Sequence, residues 1–196
     1  DVTGVQTCAL PICLFHALAE APDDVDPESQ IHALARRYGV EPSAKEIAQL
    51  KTWLHHVRTY PFQGQTAHEQ DFDWERNGFL WTGSVDLVED GPVFRIYDFK
   101  TNQKKAGLTK YIPQMQLYAL AMRALTGRVP EAVLWWLPGN EQIPVDVSDA
   151  ALQKAEEQMD AFTSYVTRQT DWAAYPCTES CPAYCRSKNL CDALSE

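Results

Sequence analysis

At 196 residues the chain suffices for one sizeable domain, or a domain with a small appendage. Hydrophobic residues make up 45% and charged residues 22%, and no apolar run approaches the ~18 residues of a membrane span, so no membrane partner is expected. The net charge of −10, from 27 acidic and 17 basic residues, has the wrong sign for a surface that grips nucleic acid non-specifically; such a contact must be local or come from another domain.

Residues 1–12, DVTGVQTCALPI, resemble translated sequencing-adapter read-through and are set aside as an artefact. From Cys13, CLFHALAE predicts a short helix on which His16 and Glu20, four apart, share a face. Asp26 is placed to cap a second helix with Pro27 at its first position and Gly39 just past its end. Ser43 and Glu46 form a capping-box pattern ahead of a third helix with Ile47, Leu50, Leu54 and Val57 on one side.

The character changes after Tyr60. His68 to Trp74, Phe79 to Val88 and Val93 to Phe99 read as strands, with Asp90-Gly91-Pro92 as the turn between the last two. A lysine-bearing loop leads to a helix from about Tyr111 to Leu125, striped by Met115, Tyr118, Met122 and Leu125 and stopped by Gly127. Ala132 to Pro138 is a continuous apolar run, as expected of a buried strand after a crossover helix, and Gln142 to Val147 reads as one more strand. Ser148 caps a long amphipathic helix with Leu152, Ala155, Met159, Phe162 and Val166 inward. This order predicts an α/β sandwich with a mixed central sheet flanked by helices, followed by a cysteine-rich tail.

Chemistry concentrates in Gly83 to Thr101, GSVDLVEDGPVFRIYDFKT. Asp86 lies on the first strand of this stretch, Asp98 and Lys100 near the end of the second. Asp98 follows Phe94 and Ile96 on a face that points at apolar core, where a carboxylate is costly unless paired or bound to a cation. Oxygen ligands from two strands suit magnesium or manganese, and a neighbouring lysine can position a water, lower its pKa or stabilise charge on a phosphate. Taken alone, the triplet favours a salt-bridged Asp–Lys pair at a strand end, since such triplets arise by chance.

The segment GSVDLV…YDFKT resembles the PD-(D/E)xK nuclease superfamily, in its RecB-like branch, where a G-x-x-D strand precedes an apolar strand ending D-x-K-T. YIPQMQLYALAM resembles that branch's Q-x-x-x-Y helix, matched by Gln114 and Tyr118, and LFHALAE resembles its N-terminal helix, matched by His16. The resemblance spans Leu14 to Cys191. It implies a restriction-endonuclease-like fold and hydrolysis of DNA phosphodiesters with magnesium or manganese. It implies His16, Asp86 and Asp98 as metal ligands, Lys100 assisting the attacking water or the transition state, and Gln114 and Tyr118 orienting the site. Glu69 matches an acidic position of the family, with a surface role equally open. Lys104, Lys105 and Lys110 join Lys100 in the densest basic patch, either a phosphate contact or a solvated loop.

Six cysteines are present, four of them spaced Cys177-x3-Cys181-x3-Cys185-x5-Cys191. Four thiolates within so short a stretch are enough for a zinc ion or an iron–sulfur cluster, and their clustering suits a reducing, cytoplasmic compartment better than a disulfide scaffold. Resemblance to AddB-type nucleases favours a 4Fe–4S cluster on Cys181, Cys185 and Cys191, with Cys177 or a residue lost from the N-terminal end as the fourth ligand and Cys13 a more distant choice. The expected division is a nuclease domain over 13–172, helical over 13–60 and αβ over 61–172, and a metal or cluster staple over 173–196. Its expected partners are single- or double-stranded DNA and a helicase subunit or fused helicase domain. Two rivals stay open: a non-catalytic, metal-stapled DNA-binding module, and a zinc-binding interaction protein.

Overall fold

The computed structural model describes residues 10–169 except 23, 103 and 106. The helical part comprises α1 (Leu10–Ala19), α2 (Pro27–Tyr38) and α3 (Ala44–Arg58). Local chemistry sets the ends of the last two. The Asp26 carboxylate accepts the Ser29 N–H at 2.8 Å, and Gly39, at φ +65°, closes α2 in the left-handed conformation. At the start of α3 the Ser43 N–H donates to Glu46 Oε2 at 2.7 Å while the Glu46 N–H returns to Ser43 Oγ at 3.3 Å, completing the capping box.

Five strands follow: β1 (Gln65–Arg76), β2 (Phe79–Asp90), β3 (Phe94–Lys100), β4 (Glu131–Trp136) and β5 (Glu141–Val145). They lie in sequence order in one sheet, antiparallel except for the parallel pair β3–β4. A parallel pair needs a crossover, and α4 (Ile112–Thr126) supplies it, entered through a 3-10 turn at Leu108–Tyr111. The helix α5 (Asp149–Arg168) follows β5, with Ser148 as its cap. The first two strands run longer than the hydrophobic pattern suggested. Asn77 (φ +53°) and Gly78 (φ +75°) form a two-residue turn, and its matching twist lets pairing continue to Arg76↔Phe79.

The sheet is buried on both faces. Val85, Ile96, Met115, Leu120, Leu134 and Leu152 belong to a core between the sheet and the α4 and α5 helices. Leu14, Phe15, Leu50, Tyr97, Phe99 and Trp135 belong to a second core on the other face, with α1 and α3. Both sides of β3 are therefore covered, as a central strand requires. Two predicted core residues are exposed instead. The inward stripe of α5 is Leu152, Ala155, Met159 and Thr163, which turns Phe162 outward to 56% exposure against the Trp81 ring. Leu125, 52% exposed, sits in the last turn of α4, beyond the buried Met115–Met122 segment. Among the described residues, no helix is long and apolar enough to cross a membrane.

Candidate metal centre

The site forms where the sheet comes apart. Pairing of β2 with β3 runs from Asp90↔Phe94 to Leu87↔Tyr97 and stops there. One residue further on each strand stand Asp86 and Asp98. The Asp86 carboxylate takes over the bonding of the parted strand, its Oδ2 accepting the Phe99 N–H at 2.6 Å. On the other side of β2 the ladder with β1 is interrupted between His68↔Leu87 and Gln70↔Val85, opposite Asp86. The residue at that gap is Glu69, held at φ +45°, a left-handed conformation that is uncommon for a residue with a side chain and rare in mid-strand.

That twist carries the Glu69 carboxylate to His16. The His16 ring comes from α1, whose Leu14, Phe15 and Leu18 are buried, and Phe15 meets Phe99 edge to face at 5.2 Å. His16 Nδ1 lies 2.5 Å from Glu69 Oε1 and 3.7 Å from Asp86 Oδ1. One ligand atom each from His16, Glu69 and Asp86 fall within 4.8 Å of one another. Asp98 does not join this trio. Its carboxylate is 2% exposed and meets Lys100 Nζ at 2.5 Å, an ion pair at the strand end.

From α4, Gln114 Nε2 donates to the Tyr118 hydroxyl at 2.8 Å, and the Tyr118 ring packs edge to face on Phe72 with centroids 5.6 Å apart. Gly83 is required here by close approach: a Cβ would sit 2.7 Å from Phe72 Cζ and 3.3 Å from Tyr118 Cε1. A cavity of about 670 Å³ opens onto His16, Glu20, Glu69, Asp71, Asp86 and Tyr118.

The cavity is electrostatically unbalanced. Burial, and then the neighbouring Asp98 charge, push the Asp86 carboxyl up to about 7, against the pull of His16 and the Phe99 N–H. Burial likewise raises Asp98, despite Lys100 beside it. Burial would lower His16, but its bond to Glu69 and the Asp86 charge outweigh that and raise it. Burial also raises the Tyr118 hydroxyl. His16 Nε2 is buried without a hydrogen-bond partner, and the buried Asp98 Oδ2 has only the Lys100 ammonium beside it. Crowded carboxylates of raised pKa and an unpartnered imidazole nitrogen together fit a small divalent cation.

A model of the PD-(D/E)XK nuclease superfamily matches residues 13–192. The chain belongs to that superfamily. No curated protein matches it. Among solved structures, a provisionally assigned exonuclease from Eubacterium rectale shares the fold at a TM-score of 0.56 and 14% identity, over 83% of this chain and 68% of that one. A second, SSO0001, aligns at a TM-score of 0.38 and 18% identity over 81% and 77% of the two chains. This PD-(D/E)XK chain therefore has the restriction-endonuclease-like architecture, its mixed five-stranded sheet flanked by helices.

The structure thus brings His16, Asp86 and Tyr118 into one cavity, with Gln114 bonded to Tyr118, and sets Asp98 with Lys100 on the adjoining strand. It brings in Glu69, which the sequence left open between a family match and a surface role and whose partner His16 lies 53 positions earlier, and it adds Tyr111, whose ring faces Lys100. Among the clustered lysines, Lys105 pairs with Glu141 while Lys104 and Lys110 are exposed. Cys177, Cys181, Cys185 and Cys191 lie outside the described residues, and Cys13 is disulfide-bonded.

Proposed function

We propose that this PD-(D/E)XK chain is a magnesium- or manganese-dependent deoxyribonuclease domain of the RecB-like, AddB type. In this reading it hydrolyses DNA phosphodiesters as the exonuclease part of a cytoplasmic repair or recombination helicase–nuclease. One observation carries it: His16, Glu69 and Asp86 converge within 4.8 Å beside the Asp98–Lys100 pair. The provisional exonuclease assignment of the Eubacterium rectale protein points the same way.

His16, Asp86 and Asp98 hold the cation, with Glu69 as a fourth donor or as the group that orients the imidazole. The bound ion supplies Lewis acidity to a phosphate oxygen and lowers the pKa of water. Lys100, beside Asp98, orients the attacking water or offsets charge on the phosphate in the transition state. Gln114 fixes the Tyr118 hydroxyl, and Tyr118, which lines the cavity, orients the scissile group. The exposed Lys104 and Lys110 supply the local phosphate contact that an overall negative chain otherwise lacks. In the same reading residues 13–172 form the nuclease unit. Cys177, Cys181, Cys185 and Cys191 then staple residues 173–196 through a 4Fe–4S cluster, with zinc as the alternative metal.

The test is degradation of single- and double-stranded DNA with and without magnesium, alongside Asp98→Ala and Lys100→Ala. The expected result is metal-dependent cleavage lost in both variants; undiminished cleavage in both would sink the assignment. Iron and acid-labile sulfide in anaerobically purified protein, against zinc content, decides the staple.

A further inference from the structure

We infer that Tyr111 is a positioning residue for Lys100, its ring holding the ammonium in place over Asp98; the inference rests on the nuclease reading above. Lys100 Nζ lies 3.8 Å from the centroid of the Tyr111 ring and 2.5 Å from Asp98 Oδ2. The lysine side chain is only 12% exposed, so the cation meets the ring largely out of water, where such a contact is strongest.

The ring is itself held. Tyr111 ends the 3-10 turn that leads directly into α4, and that turn is anchored by the buried Leu108. The Tyr111 side chain packs against the core between the sheet and α4, and its hydroxyl reaches only to 3.5 Å from Asn102 Oδ1, so the ring face, not the hydroxyl, is the working surface. Lys110 approaches the same ring at 4.9 Å.

A carboxylate alone is a poor anchor for this lysine. Asp98 is the partner that a bound cation would claim, and an amine held only by Asp98 would lose its position when the carboxylate turned to the ion. A lysine has four rotatable bonds, and restricting their freedom is costly. An aromatic face does not ligate magnesium, so Tyr111 keeps Nζ in place while Asp98 changes partner.

The test compares Tyr111→Leu, which keeps apolar bulk but removes the π face, with Tyr111→Phe, which keeps the face and removes the hydroxyl. Steady-state DNA cleavage in magnesium is measured on wild type, both variants and Lys100→Ala. In parallel, NMR records the upfield ring-current shift of the Lys100 Cε protons, a readout independent of activity. The expected result is kcat lowered by roughly tenfold in Tyr111→Leu with KM nearly unchanged. Tyr111→Phe should stay within about twofold of wild type, since its ring binds a cation nearly as well. The ring-current shift should be present in wild type and Tyr111→Phe and absent in Tyr111→Leu. Wild-type kcat in Tyr111→Leu, Tyr111→Phe as impaired as Tyr111→Leu, or no upfield shift in wild type each overturns the role while leaving the nuclease reading intact. A wild-type protein that leaves DNA uncut overturns the nuclease reading and this role with it.

Discussion

Asp86 Oδ2 accepts the backbone N–H of Phe99 at 2.6 Å, one residue beyond the point where β2 and β3 cease to pair. A side chain thus replaces a rung of the ladder, and the carboxylate that parts the strands also holds them at a fixed spacing. Asparagine can accept the same N–H but carries no charge. Asp86→Asn should therefore keep the fold and relieve the repulsion from Asp98, raising the stability of metal-free protein by about 1 kcal/mol. DNA cleavage should fall by at least the ~100-fold that losing even an outer partner of a metal can cost. Thermal melts in chelator and in magnesium check both halves: the variant should melt above wild type in chelator and gain little from magnesium.

The same carboxyl sets a pH dependence. Burial and then Asp98 push the Asp86 carboxyl up to about 7, so its folded pKa lies above its unfolded value. The stability it contributes is fully present below the unfolded value near ~3.9 and is lost as pH rises through about 7. Metal-free wild type should accordingly lose denaturant resistance between pH 5 and pH 8, roughly, with a flatter profile in Asp86→Asn. Magnesium should remove most of the difference by satisfying the ionised form. Urea midpoints at the two pH values, with and without magnesium, measure this; a steep profile in Asp86→Asn would contradict it.

A carboxylate at the far end of the strands behaves oppositely. Glu89 is 1% exposed and accepts from the Gln63 N–H at 2.6 Å, the Tyr97 hydroxyl at 2.8 Å and Arg95 at 3.5 Å. Burial alone would raise its pKa, but these donors outweigh it and the pKa is lowered. Its contribution is therefore present above the unfolded value near ~4.3 and lost as pH falls through the folded pKa. Glu89→Gln should cost about 1–3 kcal/mol at neutral pH, and the gap should narrow on acidification. Cleavage below the melting range should be unchanged, because Glu89 lies outside the cavity that holds His16 and Asp86. Denaturant midpoints at neutral and acid pH check it.

Gly83 tests the wall of the cavity. With a Cβ at this position 2.7 Å from Phe72 Cζ and 3.3 Å from Tyr118 Cε1, Gly83→Ala must displace one or both rings. The expected cost is about 1–3 kcal/mol of stability, with a fall in cleavage as Tyr118 shifts off its bond to Gln114. Shortening Phe72 to Leu in the same chain should restore part of both, and a double-mutant cycle reads the coupling. Strictly additive effects would mean that the rings do not carry the penalty.

Local chemistry was readable along the chain and long-range chemistry was not. The Asp26 and Ser43 caps act within three residues, and the predicted helix ends follow them. The alternation Phe94, Ile96, Asp98 put a carboxylate on a core face, and Asp98 is indeed buried. Phe162 misled because Phe162 and Thr163 both fit a helical stripe from Met159, and only the packed sheet selects Thr163. Glu69 stands in the largely polar run TAHEQDFD of an edge strand, so the residues around it left a family match and a surface role equally open. Its meaning lies in a φ of +45° and a partner on α1, both products of tertiary assembly. Tyr111 was read as a helix start because its relation to Lys100 crosses a loop.

Glu69 also yields the most discriminating prediction. A left-handed residue with a side chain costs about 1 kcal/mol or more, and such strain persists where the surroundings and function demand it. Here the demand is the carboxylate: Oε1 lies 2.5 Å from His16 Nδ1 and Oε2 lies 3.5 Å from Ser84 Oγ. Glu69→Gly removes strain and carboxylate together, whereas Glu69→Gln keeps the strain and removes only the charge. In chelator, Glu69→Gly should be at least as stable as Glu69→Gln despite its greater chain entropy when unfolded. Both should lose most of the thermal shift produced by magnesium or manganese, and both should cleave DNA at least roughly tenfold more slowly. The deciding comparison is calorimetric metal titration of the two variants. Wild-type affinity in Glu69→Gln would reduce Glu69 to a prop for the His16 ring, and a markedly less stable Glu69→Gly would show that the twisted backbone, not the carboxylate, is what the fold requires.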